Sequence, residues 1–150
     1  PILKYSVVGE LIDTFIDTIA TNWQPCGITY NTENDSIINL YRNLNSPLEF
    51  RARTIPKDLK LSISSDLLFN LGFIDTSYYG VYAIEYYNLN YYMLGVDSTM
   101  NDILIITNNV FEVTSLDTIS DNSVVGLSFK GNDLFLSYRD RRIEKFITFE

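Results

Sequence analysis

The sequence predicts an α+β domain: an antiparallel β-sheet with an N-terminal amphipathic helix packed against it. Three observations lead there. Residues 7–23 carry Val8, Leu11, Ile12, Phe15, Ile16, Ile19 and Trp23 at three- and four-residue spacing, one apolar stripe on a helix. After residue 27 the chain turns to short runs rich in β-branched and aromatic residues, punctuated by Asn, Gly and Asp, the texture of strands and turns. With 150 residues, 46% of them apolar and 20% charged, residues 1–150 make a single domain able to bury its own core.

In the helix, Glu10, Asp13, Asp17 and Thr21 take the polar face, with Ser6 as N-cap and the acids near the positive end of the dipole. Pro25 and Gly27 stop it. Strands are predicted over Ile37–Arg42, Phe50–Ile55 and Leu59–Ile63, the last from the alternation of Leu59, Leu61 and Ile63. Ser65–Leu71 reads as a short helix closed by Gly72. Val81–Tyr86 and Tyr91–Val96 follow as strands. Ile103–Thr107 and Val110–Thr114 form a hairpin around Asn108-Asn109, because Asn tolerates the left-handed conformation of tight turns. Val124–Phe129 and Leu134–Tyr138 form another around residues 130–133, and Ile143–Phe149 is a last strand or a helix.

Composition narrows the function. The net charge of −8 and pI near 4.4 argue against a nucleic-acid binder working through basic patches. With no histidine, Ser–His–Asp and Cys–His catalysis, histidine metal sites and histidine pH switches are all removed. Cys26 is the only cysteine, so neither an intramolecular disulfide nor a zinc cluster can form, and a reducing cytoplasm is the expected compartment. Pro1 reads as a start whose initiator Met was removed, and the opening PILKYSVVGEL lacks the pattern of a signal peptide. The longest uncharged stretch, residues 18–32, holds Pro25, Gly27 and several polar residues, so no membrane span is expected. Glycine-rich phosphate loops are absent and Cys26 has no histidine to act as its base; the expectation is a protein that is not an enzyme and needs no cofactor.

Charge and aromatic content then point to one region. Residues 61–129 contain no Lys or Arg but hold Asp66, Asp75, Glu85, Asp97, Asp102, Glu112, Asp117 and Asp121. Seven of the eleven tyrosines, Tyr78, Tyr79, Tyr82, Tyr86, Tyr87, Tyr91 and Tyr92, fall within the same stretch. Tyrosine joins a large contact area to a hydroxyl and is favoured at interfaces, although aromatics also pave half-buried sheets. Glu85, Tyr86, Tyr87, Tyr91, Tyr92, Asp97, Asp102, Asp117 and Asp121 are therefore the candidate partner-binding residues. Residues 95–102 place Asp97, Asn101 and Asp102 close together, but Met100 interrupts them and the spacing is not that of a calcium loop; a polar turn is the better reading, and no metal site is expected. The basic run Arg139, Arg141, Arg142 and Lys145, interleaved with Asp140 and Glu144, reads as a charged strand edge.

Several segments resemble the SUKH superfamily of immunity proteins. Ile55-Pro56-Lys57-Asp58-Leu59 resembles that family's proline–acid–apolar opening, and Tyr79-Gly80-Val81-Tyr82-Ala83-Ile84-Glu85 its aromatic–Gly–apolar segment. Tyr92–Asp97, Asp102–Ile105 and Asn109–Val113 resemble its paired strands after a glycine turn. The resemblance implies an α+β fold and, for bacterial members, stoichiometric neutralisation of a toxin. The leading expectation is thus an acidic immunity or antitoxin-type protein that binds and occludes a cognate basic toxin, a nuclease domain, without contacting nucleic acid or membrane; one-sign charge would steer such a partner into place. The alternatives are a carbohydrate- or peptide-binding module using exposed tyrosines, and an assembly protein joined through strand edges.

Overall fold

The computed structural model describes residues 2–16, 18–58, 63–75, 80–120 and 123–148, and these form thirteen β-strands with no helix among them. The predicted α+β class is overturned: the protein is all-β. Its strands fall into four antiparallel sheets, each built from strands consecutive in the chain.

An N-terminal hairpin pairs β1 (Ile2–Tyr5) with β2 (Leu11–Phe15), where the helix was expected. Two features of residues 7–23 defeat the helix. Gly9 turns at φ 85°, and the segment is dense in β-branched Val, Ile and Thr, which lose side-chain freedom in a helix. As a strand the segment puts Leu11 and Phe15 on one face and Ile12 and Ile16 on the other, so its apolar residues show no alternation and the pattern alone favours the helix. Ser6 does act as a cap, but of a turn: its Oγ accepts from Glu10 N at 3.1 Å, and its own N–H donates to the Glu10 carbonyl at 2.8 Å.

The first meander comprises β3 (Trp23–Asn31), β4 (Ser36–Asn43), β5 (Glu49–Pro56) and β6 (Ser65–Asn70), in that spatial order. The short helix expected at Ser65–Leu71 is instead β6, paired along β5 from Glu49↔Asn70 to Thr54↔Ser65. Leu67 and Phe69 turn inward while Asp66 and Leu68 face the other side, an alternation that six residues cannot express as a helix. Of the strand expected at Leu59–Ile63, residues 59–62 lie outside the described residues. Pro25, expected to stop a helix, sits inside β3 beside a bulge, where an edge strand accommodates proline.

The second meander is β7 (Val81–Tyr87), β8 (Asn90–Val96), β9 (Asp102–Thr107) and β10 (Val113–Thr118). The third is β11 (Val124–Lys130), β12 (Asp133–Tyr138) and β13 (Ile143–Thr148). A hairpin is present around Asn108, but its turn spans residues 108–112 and β10 begins at Val113 rather than at Val110. The hairpin around residues 131–132 falls within the turn expected at 130–133, and residues 143–148 are strand rather than helix.

These sheets stack face to face. One core lies between the first two meanders, with Leu40, Phe50, Ala52, Ile84, Met93 and Ile105 at its centre. A second lies between the other face of the second meander and the third, built on Leu94, Leu104, Leu134 and Leu136. The middle sheet is thus buried on both faces, which is why β8 and β9 read as continuous apolar runs. The first strands β3, β7 and β11 lie side by side, β7 between the other two. Sequential meanders stacked with their first strands together follow the plan of propeller blades.

On its outer face the first meander carries a ladder of charge and aromatic rings. Asp66 is 3.3 Å from both Arg51 and Arg53, and the Arg51 guanidinium lies 4.4 Å over the Trp23 ring. The hairpin covers part of this face, leaving a cavity of about 530 Å³ edged by Ile2, Leu3, Trp23, Ile28 and Tyr41. Among the described residues no helix is long and apolar enough to cross a membrane.

A polar cleft over an aromatic column

The most built feature of the molecule is a cleft where the turns of the first two meanders converge. Three turns shape it. Asn31 ends β3, and its Oδ1 accepts from Glu33 N at 3.0 Å and Asn34 N at 3.4 Å, fixing the β3–β4 turn. Asn88 and Leu89 join β7 to β8 at φ 47° and 64°, the two left-handed residues of a tight hairpin turn. Asn108 organises the β9–β10 turn, where its Oδ1 accepts from Val110 N and Glu112 N, both at 3.0 Å. Phe111 then takes φ 63°, an uncommon backbone for a bulky residue and one that only surrounding structure can hold.

What holds it is ring stacking. Phe111 lies between Phe69 of the first meander, at 4.6 Å and 16°, and Tyr91 of the second, at 4.4 Å and 6°. Phe50 extends the column at one end and Tyr86 at the other, 5.7 Å from Phe69 and 5.2 Å from Tyr91. Such contacts add about 0.5–1.5 kcal/mol each beyond area burial. The column fastens the two meanders together and forms the floor of the cleft.

The cleft holds about 400 Å³, with Tyr86, Tyr91 and Phe111 below and Asn31, Glu33, Asn34, Thr54, Ser65 and Asn109 around it. Asn31 Nδ2 donates to the Tyr91 hydroxyl at 3.0 Å. Burial pushes both tyrosine hydroxyls up; for Tyr86 the charge of Glu33 pushes the same way, while for Tyr91 the Asn31 bond pulls back. Both therefore stay neutral at physiological pH. Glu33 and Asn109 are exposed at the rim. The lining offers amides, hydroxyls and one carboxylate over aromatic rings, groups that bind a polar ligand by hydrogen bonds. Among the described residues no cluster of three or more Cys, Asp or Glu is arranged to hold a metal ion.

The residues singled out from sequence are dispersed. Tyr86, Tyr91 and Tyr92 are core residues, 7%, 2% and 4% exposed. Tyr87 stacks on Phe129 at 4.1 Å and donates to Asn132 Oδ1 at 2.5 Å, bridging to the third meander. Glu85 is half-buried against Thr29, and desolvation raises its carboxyl pKa. Asp97 folds back on its own turn, accepting from Thr99 N at 2.8 Å and Asn101 N at 3.0 Å; the Asn101 bond leads in holding its pKa down at about 2. Asp102 is buried, with the Val124 N–H at 3.1 Å and the Tyr82 hydroxyl at 3.3 Å. Asp117 is exposed on β10, while Asp121, Tyr78 and Tyr79 lie outside the described residues. Of the predicted set only Tyr86 and Tyr91 meet at the cleft. Asn31, Glu33, Asn109 and Phe111 were not singled out; the Asn108-Asn109 pair signalled a turn but nothing in it signalled a cleft.

No family model and no curated protein matches the chain. Among solved structures it is similar to the crystal structure of the computationally designed Ika4 protein, with 9% identity, a TM-score of 0.45, and coverage of 91% of this chain and 98% of that one.

Proposed function

We propose that this protein is a non-catalytic recognition domain whose cleft takes a small hydroxyl-rich ligand of the carbohydrate class. The observation that carries the reading is the convergence of three turns on a cleft of about 400 Å³ whose floor is the Tyr86–Tyr91–Phe111 aromatic group and whose rim is amide and hydroxyl. Sugars present hydroxyls to such a rim, and the floor below offers them ring edges and the Tyr91 hydroxyl rather than open ring faces, since Phe111 is stacked on both sides. A glycan array followed by calorimetry tests it. Saturable binding that falls about tenfold in Glu33→Ala and Asn109→Ala, the loss of roughly one good hydrogen bond each, supports the reading; an array without hits overturns it. The lone thiol Cys26 keeps a reducing, cytoplasmic compartment within the same proposal.

A second reading, the immunity-type protein that occludes a basic nuclease toxin, rests on a different observation. Strand β10 is exposed along its whole length at the edge of the second meander and carries Asp117, with Glu112 just before it, in a chain of net charge −8. An acidic open edge suits a basic partner that adds a strand. That reading requires binding to a basic nuclease domain that weakens with salt and with Glu112→Lys/Asp117→Lys; binding indifferent to both sinks it.

A further inference from the structure

We propose that a second pocket, beside the N-terminal hairpin, binds a small aliphatic monoamine, with its ammonium on the Glu85 carboxylate and its chain along apolar side chains of β1, β3 and β4. The pocket holds about 430 Å³ and shares no lining residue with the cleft. Its walls are Ile2 and Leu3 of the hairpin, Ile28 and the ring of Tyr30 on β3, and Ile37 on β4. Ile37 pairs directly with Tyr30, and alternation along β3 sets Ile28 and Tyr30 on one face. Both are open to a ligand, at 52% and 43% exposure.

One carboxylate enters this apolar setting. Glu85 reaches it from β7, held by the buried Thr29. The Thr29 hydroxyl accepts the Tyr86 N–H at 3.0 Å and donates to Glu85 Oε2 at 3.5 Å, a long contact that leaves the carboxylate most of its accepting capacity. Desolvation raises the Glu85 pKa against the pull of that bond, and no positive charge contributes. Lys4 also lines the pocket, but its ammonium donates to the Lys57 carbonyl at 3.5 Å. The Tyr30 hydroxyl donates to Asp35, which pairs with Lys57, so that part of the rim is already satisfied. Glu85 is left as an acid against aliphatic side chains without its counter-ion. Such a group costs stability until a cation arrives.

Charge and shape together select the occupant. A cation is wanted at Glu85, and the isoleucine and leucine walls want a chain that can be buried. Lys4 disfavours a second cation on the ligand, which excludes polyamines in favour of a monoamine. Ile2, Leu3 and Ile28 also edge the cavity of about 530 Å³ beside Trp23. Apolar lining thus continues from one cavity to the next, which suits a free alkyl chain better than the short stem of a lysine side chain.

Calorimetric titration with hexylamine in phosphate buffer tests the proposal. One amine is expected to bind per chain, and binding to fall by about tenfold or more in Glu85→Gln, which keeps the Thr29 contact without the charge. Hexanol, the same chain without the cation, should bind weaker by about the same factor. Affinity should climb about twofold per methylene from butylamine to octylamine. The absence of saturation up to about 10 mM, equal binding of hexanol, or undiminished binding by a folded Glu85→Gln overturns the proposal. Nα-acetyl-lysine amide binding as tightly as hexylamine also overturns it, and assigns the pocket to a lysine of a protein partner instead. The cleft shares no residue with this pocket, so its carbohydrate reading stands or falls separately.

Discussion

Gly27 faces Ile84 across the junction of β3 and β7 so closely that a Cβ at position 27 would stand 2.7 Å from Ile84 Cγ2. The first strands of the two meanders meet there, and the missing side chain sets their approach. Gly27→Ala is expected to destabilise by about 1–3 kcal/mol through overpacking. Ile84→Ala alone should also destabilise, through the cavity it leaves. The double variant should recover part of the loss, so urea midpoints of all four proteins give a positive coupling; additive losses would refute the contact.

Phe111 combines an unfavourable backbone with a favourable ring. Phe111→Ala is expected to cost about 3–5 kcal/mol, the range for emptying an aromatic site. Phe111→Gly loses the same ring but relieves the left-handed backbone at φ 63°, so it should be more stable than Phe111→Ala although glycine carries more entropy to lose. Equilibrium urea unfolding ranks the two; the opposite order would refute the strained turn.

Glu85 gives a dependence on pH. Desolvation raises its carboxyl pKa in the folded state, so folding favours the protonated form, and the associated stability is present below the unfolded pKa and lost as pH rises through the folded one. Glu85→Gln removes the charge and keeps a group that meets the Thr29 hydroxyl. The variant should melt higher than the parent near neutral pH, and the difference should vanish below about pH 4. Melting curves across that range check both parts.

Cys26 should be silent to thiol reagents until the protein unfolds. Its Sγ lies 3.6 Å from the Leu40 carbonyl against the first core, and burial pushes the thiol pKa up to about 12. Because the thiolate is the reactive form, titration with a disulfide reagent at mildly alkaline pH should show no fast phase in the native protein and one thiol per chain in denaturant.

Strands in the middle of the stack were legible in the sequence because burial on both faces writes itself as continuous apolar runs, as in Ile103–Ile106. Turns built on Asn108 and residues 131–132 were legible for the local reason that their residues accept tight backbone geometry. The hairpin at the N-terminus was misread because seven apolar residues fit a period of 3.6 and show no period of two, so only Gly9 and the β-branched content argued against the helix. The candidate face failed differently. Tyrosine clustering is the same signal whether rings pave a core or a surface, and Tyr86, Tyr91 and Tyr92 proved to be core. Eight acids free of nearby bases along the chain are not free of bases in space: Asp66 meets Arg51 and Arg53 across a strand pairing of long reach. The cleft was invisible because its members, Asn31, Glu33, Asn109 and Phe111, are brought together by the stacking of two sheets.

Trp23, sandwiched by Arg51 and roofed at one side by Ile2 and Leu3, is the only tryptophan in the chain. Its position makes the molecule its own optical gauge. Lifting of β1 and β2 wets the indole while the two deeper cores, which contain no tryptophan, stay dry. A red shift of emission that precedes the loss of strand dichroism would therefore time the departure of one element separately from the melting of the rest.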